Sequence, residues 1–200
     1  TMRRLPGLIE LRTYALKADC FPQYLGHTGG DLFKPRLEAS KLNAFFTVEM
    51  GAKLNAVVHM WEYDSLDHRA EVRAQLAGDK GFLKYFETIR PMLISQTSVV
   101  AKPLEWQHPK DSSPPGCFAL LSTNNNKSQD LTQADTQGLE RVAVLEEVIG
   151  SQGRVHELYK AQSFQALLEQ VPIVQSSIET PPSNGSQLQL LTPTGFSPMK

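Results

Sequence analysis

The 200-residue chain has only two cysteines, no long apolar run and no block of charge of one sign. Cys20 and Cys117 stand far apart, and neither belongs to a Cys-x-x-Cys or Cys–His spacing. The chain therefore offers no disulfide framework and no zinc or other metal spacing, and both thiols read as reduced and structural. No window approaches the roughly 18 apolar residues of a transmembrane helix, and no charged start followed by a hydrophobic core marks a secretory signal. Lysine plus arginine number 20 against 21 aspartate plus glutamate, for a net charge of −1, and no basic run exceeds Arg3-Arg4. That balance speaks against a nucleic-acid partner, which would require a basic face. GxSxG, GxGxxG and phosphate-loop patterns are absent as well. Gly26-His27-Thr28-Gly29-Gly30 does not follow a strand directly, as a phosphate cradle should, and reads as a helix breaker.

What the chain does have is alternation. From Leu42 to Met50 the even positions Leu42, Ala44, Phe46, Val48 and Met50 are apolar, which predicts a strand. Gly51-Ala52-Lys53 reads as a hairpin turn, and Leu54 to Tyr63 resumes the period of two. This second strand is bulky on both sides, with Leu54, Ala56, Val58 and Met60 opposed to Val57, His59, Trp61 and Tyr63. A strand with two apolar faces is covered twice. We expect the aliphatic face against helices and the aromatic, polar face against a second sheet or a pocket. Along the first strand, Glu10, Arg12 and Tyr14 oppose Ile9, Leu11 and Thr13 in the same way. Asp64-Ser65 supplies an N-cap for a helix over residues 66–78, with Leu66, Ala70 and Ala77 on its apolar stripe and Gly78 as its stop.

Val155-His156-Glu157-Leu158-Tyr159 echoes Val58-His59-Met60-Trp61-Glu62, and the segment ends Val100 to Trp106 and Leu190 to Phe196 also correspond. The echo predicts two β-α-β-β-α-β units in tandem, at residues 8–107 and 116–200, packing sheet against sheet, with His59 and His156 at equivalent positions. The polar, proline-rich stretch at 107–116 reads as the linker. In the first unit, Gly26, Gly29, Gly30 and Pro35 interrupt the segment before Leu42, so two short helices are expected there, or one broken near 27–30. In the second unit, strands are expected over 117–123, 143–149 and 153–159 and a helix over 163–171. A polar run after 123 leaves too little room for a full first helix, and a loop insertion falls at 179–186, so the second unit reads as eroded.

Several of these stretches resemble the NipSnap family: Glu10-Leu11-Arg12-Thr13-Tyr14, the Val48-Glu49-Met50-Gly51 turn, Leu54 to Tyr63, the Arg69-x-x-x-Arg73 helix, and Pro193-Thr194-Gly195-Phe196-Ser197-Pro198. The resemblance is strong over 8–107 and weak over 116–200. It implies an α+β fold of tandem ferredoxin-like units with antiparallel sheets, the dimeric α+β barrel. It also implies a mitochondrial address, with a cytosolic one as the alternative, and links to vesicle traffic and mitophagy signalling rather than an established reaction. A start at Thr1 leaves room for a leader removed before that point.

Two constellations carry chemistry. Tyr14, Glu49, His59, Trp61 and Tyr63 share strand faces that, in related barrels, line a ligand cavity; the alternative is a packed sheet-to-sheet core with His59 hydrogen-bonded inside it. Arg69 and Arg73, one helical turn apart, suit either ion pairs with Glu49 or Glu10, or an anionic ligand. On this reading the chain is a non-enzymatic adaptor, without cofactor or metal, that meets protein partners and can self-associate. The competing reading is a small-molecule-binding barrel, extending to an oxidoreductase of the monooxygenase type.

Overall fold

The alternating segments become strands that close on themselves. The computed structural model describes residues 5–107, 116–124, 139–151, 153–167 and 187–200. Its strands are β1 (Leu8–Leu16), β2 (Lys41–Met50), β3 (Ala56–Tyr63), β4 (Leu93–Trp106), β5 (Cys117–Thr123), β6 (Glu140–Ile149), β7 (Val155–Ala161) and β8 (Gln187–Pro193). They form a closed antiparallel barrel in the order β1-β3-β2-β8-β5-β7-β6-β4. Closure removes every free sheet edge.

Four helices cover the outer face of β1 to β4: α1 (Phe21–Thr28), α2 (Lys34–Ala39), α3 (Leu66–Gly78) and α4 (Lys80–Ile89). The break between α1 and α2 falls at the glycines, as their helix cost requires. Ser65 caps α3 by accepting the His68 N–H at 3.1 Å, and Asp79 caps α4 by accepting that of Phe82 at 2.7 Å. On α3 the buried side chains are Val72 and Leu76, while Leu66, Ala70 and Ala77 are exposed. The side of α3 that packs on the aromatic layer is instead the one with Val72 and Leu76.

The two layers are reversed from expectation. Ile9, Leu11, Ala44, Phe46, Val48, Val58 and Met60 point inward and meet Phe118, Leu120, Leu145, Leu158 and Leu191 from β5 to β8. Tyr14, Phe45, Trp61 and Tyr63 point outward into the helices with Tyr24, Phe33, Val72, Leu76 and Tyr85. Aliphatic side chains with Phe46 and Phe118 pack the inside of the barrel, and Tyr14, Phe45, Trp61 and Tyr63 lie in the sheet-to-helix layer. A bulge between Leu42 and Ala44 turns Leu42 to the helix side, although the period of two puts it with Ala44.

The pairing of β5 to β8 repeats that of β1 to β4. Leu8 opposes Tyr63 as Cys117 opposes Ala161, Leu11 opposes Met60 as Leu120 opposes Leu158, and the bulge at 42/44 recurs at 141/143. Ile9 opposes Ala101 as Phe118 opposes Leu191, so the two segment ends correspond as the sequence suggests. The histidines do not. The equivalent of His156 is Val58, one residue before His59, and a slip of one residue exchanges faces. His59 points out toward the helices and His156 into the barrel. Residues 164–167 form a helical turn on the outer face of β5 to β8, where Phe164 and Leu167 pack with Tyr159. The expected linker core, the polar run after 124, the rest of the 163–171 helix and the 179–186 insertion lie outside the described residues.

Candidate functional site

A cavity of about 310 Å³ opens between the helical layer and the outer face of β1 and β3. That places it at the low end of small-ligand clefts, roughly 300–1,000 Å³. Of the residues expected to share a pocket, Tyr14, His59, Trp61 and Tyr63 line it. Glu49 does not: it is exposed near the end of β2 and accepts a hydrogen bond from Thr47 Oγ1 at 3.1 Å. On β2 the outward position opposite His59 belongs to Phe45, whose ring stacks on the imidazole at 4.8 Å. Arg73 lines the cavity, whereas Arg69, one turn earlier, does not.

His59 is buried. Trp61 Nε1 lies 2.6 Å from His59 Nδ1. Indole N–H can only donate, so Nδ1 is the acceptor and the neutral imidazole carries its proton on Nε2. Burial, reinforced by the charges of Arg12 and Arg36, holds the His59 pKa well below the usual imidazole value. The ring is therefore a neutral donor, and its Nε2 has no hydrogen-bond partner among the described residues.

Two guanidinium groups, those of Arg36 and Arg12, act on it. Arg36, from the second turn of the helical region before β2, is 6% exposed. It donates to Ser40 Oγ and, at 2.9 Å, to the Tyr63 hydroxyl, and its plane lies 3.5 Å over the Trp61 ring. Among the described residues, no carboxylate lies within ion-pair distance of it. Arg12 sits 5.2 Å from the Tyr14 ring centre and donates to Gln96 Oε1 at 3.3 Å. Glu10, beneath Tyr63, gathers donors from Arg69 at 2.7 Å, Ser98 at 2.6 Å, Tyr63 at 3.1 Å and Arg12 at 3.5 Å. Burial alone would raise its pKa, but those donors and charges outweigh it and hold the carboxyl at about 2. The carboxylate is saturated, and the cavity it leaves behind is rich in donors.

Arg12 was legible as sharing a strand face with Glu10 and Tyr14. Arg36 was not: a six-residue helix has too little periodicity to show which way an arginine points.

The NIPSNAP family model matches residues 9–108. The chain belongs to the NIPSNAP family. It is similar to human NipSnap homolog 3A, with 27% identity over 99% of this chain and 88% of the relative. NIPSNAP membership covers the half that carries the cavity. The barrel is also shared with two provisionally assigned monooxygenases of solved structure. One, from Fusobacterium nucleatum, has a TM-score of 0.61 and 11% identity over 96% of this chain and 94% of that one. The other, from Lactobacillus acidophilus, has a TM-score of 0.57 and 10% identity over 95% of this chain and 94% of that one. At such identity the likeness establishes the dimeric α+β barrel fold and no chemistry. Among the described residues of this NIPSNAP chain, no helix is long and apolar enough to cross a membrane.

Proposed function

We propose that this NIPSNAP-family chain binds a small anionic molecule with an apolar body in the cavity between α3, α4 and the outer face of β1 and β3. The observation that carries the reading is Arg36. A guanidinium this deeply buried normally has a carboxylate partner. Here the nearest one, Glu10, is taken up by Arg69, Arg12, Ser98 and Tyr63, so Arg36, which lines the cavity, has no carboxylate in direct contact. Arg73 and Arg12 add donors on the same side, and Phe82, Phe86 and Ile89 supply an apolar wall. An acidic group would lie toward the arginines with its body against α4.

The test is calorimetric titration with benzoate, a medium-chain fatty acid and inorganic phosphate, on wild type and Arg73→Gln. Binding of an apolar carboxylate, weakened several-fold in the variant, is the expected result. Absence of heat with all three anions, on folded protein, removes the reading.

A second reading, the adaptor role at mitochondria, draws its support from family membership. Its test is proximity labelling of the tagged protein in cells, where enrichment of non-mitochondrial proteins alone counts against it. We further propose that residues 8–107 and 116–200 are two related units, a view supported by the matching registers of β1 to β4 and β5 to β8.

A further inference from the structure

The closed barrel is filled unevenly. One end is packed with aliphatic and aromatic side chains, and the other holds a second cavity of about 440 Å³ on the opposite face of the wall from His59. One side of this cavity is built from small residues of β1 and the β2–β3 hairpin: Ala15, Ala52 and Ala56. The other side carries Ser122 of β5, His156 of β7 and Glu147 of β6. By the strand registers, the first-half counterparts of this trio are Thr13, Val58 and Val48, so the polar arrangement belongs to the second half alone.

The three side chains form a directed chain of hydrogen bonds. Ser122 Oγ lies 2.7 Å from His156 Nδ1, and His156 Nε2 lies 2.7 Å from Glu147 Oε1. All three residues are buried. The carboxylate accepts the Nε2–H and so selects the tautomer whose Nδ1 is a free base, and that base faces the serine hydroxyl. Burial lowers the His156 pKa in spite of Glu147, which keeps the ring unprotonated. Nucleophile, base and orienting acid stand in the relation that acyl-transfer enzymes use on unrelated folds, here with the two imidazole nitrogens exchanged. The cavity reaches solvent at a rim where Lys53 and Ser151 are exposed, and Lys53 and Arg154 bring positive charge to its wall.

We propose that Ser122 is a nucleophile activated by His156, with Glu147 as a positioning residue, and that the barrel cavity takes small esters or thioesters. Ser122 Oγ attacks the carbonyl carbon while its proton passes to His156 Nδ1. The tetrahedral adduct expels the alkoxide or thiolate, which takes that proton, leaving an acyl–serine. Water enters by the same route, gives its proton to His156 and releases the acid, and the proton returns to Ser122. Water is the only co-reactant the sequence of steps needs. This site is independent of the arginine cavity, and either can stand without the other.

The experiment is labelling of the full chain with diisopropyl fluorophosphate, read by intact mass and peptide mapping. The Oγ–P bond forms, fluoride leaves, and the proton goes to His156. The expected result is one adduct per chain, on Ser122, absent in Ser122→Ala and unchanged in Arg73→Gln. Glu147→Gln keeps a hydrogen-bond acceptor but loses the charge. It should cut the maximal labelling rate at least tenfold while leaving the concentration for half-maximal rate unchanged, a split that a packing defect would not produce. Ser122→Ala leaves the buried Nδ1 of His156 without its partner and should lower the melting midpoint by a few degrees, so its fold is checked by circular dichroism before labelling. No adduct on folded wild type, or an adduct that persists in Ser122→Ala, overturns the proposal.

Discussion

Arg69 Nη2 donates to Glu10 Oε1 across 2.7 Å and so ties α3 to β1. The carboxylate is 1% exposed and also receives Ser98, Tyr63 and Arg12, which explains why it remains ionised so far below the usual carboxylate range. A group whose pKa falls on folding stabilises the folded state above its unfolded value, and that contribution is lost as pH drops through the folded value. For Glu10 the window runs from about 4.5 down to about 2. The full contribution is roughly 3 kcal/mol. Glu10→Gln should therefore be clearly less stable than wild type at pH 7, with the gap closing toward pH 2. Chemical denaturation at several pH values measures it; a gap independent of pH would contradict the assignment.

The two arginines on α3 should behave differently although they are one turn apart. Removing Arg69 takes one strong donor from a buried carboxylate that keeps three others, so Arg69→Gln should cost about 1–3 kcal/mol. Arg73 is exposed and lines the cavity without a hydrogen bond to Glu10. Arg73→Gln should stay within about 0.5 kcal/mol of wild type in the absence of ligand. Melting curves of both variants, with and without benzoate, separate the roles. Equal destabilisation would merge them.

Trp61 is 1% exposed, holds the guanidinium of Arg36 on its face, and fixes the tautomer of His59 through its N–H. Trp61→Ala should cost about 3–5 kcal/mol, as large aromatic truncations in cores do. Trp61→Phe retains most of the volume but frees Nδ1 of His59, so it should lose less stability and change the imidazole nitrogen shifts in NMR. Shifts unchanged from wild type would mean that the indole does not set the tautomer.

Gly51 closes β2 with φ of +85°, and a Cβ there would run into the backbone carbonyl of Leu188 at the start of β8. Gly51→Ala should destabilise by more than the roughly 1 kcal/mol of a simple glycine effect, because β2–β8 is one of the two seams that close the barrel. Equilibrium unfolding measures the loss, and hydrogen exchange at the Leu190 and Leu191 amides should rise. Protected amides in the variant would show that the seam tolerates the side chain.

The C-terminal motif Pro193-Thr194-Gly195-Phe196-Ser197-Pro198 shows how a recognisable pattern can hide its reason. The N–H of Thr194 donates to the Phe45 carbonyl at 2.9 Å, and Ser197 Oγ accepts the Phe45 N–H, also at 2.9 Å. Phe196 packs on Phe45, 4.9 Å between ring centres. The motif continues the pairing of β2 past the end of β8 and so buttresses the stacked His59. The match of residues was visible in the chain, but its partner lies some 150 positions away and is met only in the fold.

What the sequence by itself determined was local. The period of two laid out β1, β2 and β3, Ser65 and the glycines set where α3 begins and α1 stops, and the family motifs implied the barrel. Alternation says which residues share a face, and it does so only while the register is unbroken. It does not say which face is inside. The tertiary structure decided that, because closure of the barrel turns the face with Phe46, Val58 and Met60 toward β5 to β8 and leaves Phe45, Trp61 and Tyr63 outward against the helices. Tertiary pairing also decided the face of His156. One residue of offset from His59 is invisible in a five-residue match but reverses the side chain on a strand. Arg36 and the Ser122, His156 and Glu147 trio were beyond reach for a related reason: each is assembled across strands or layers by pairing distant segments, and no periodicity within one segment encodes its neighbour's register.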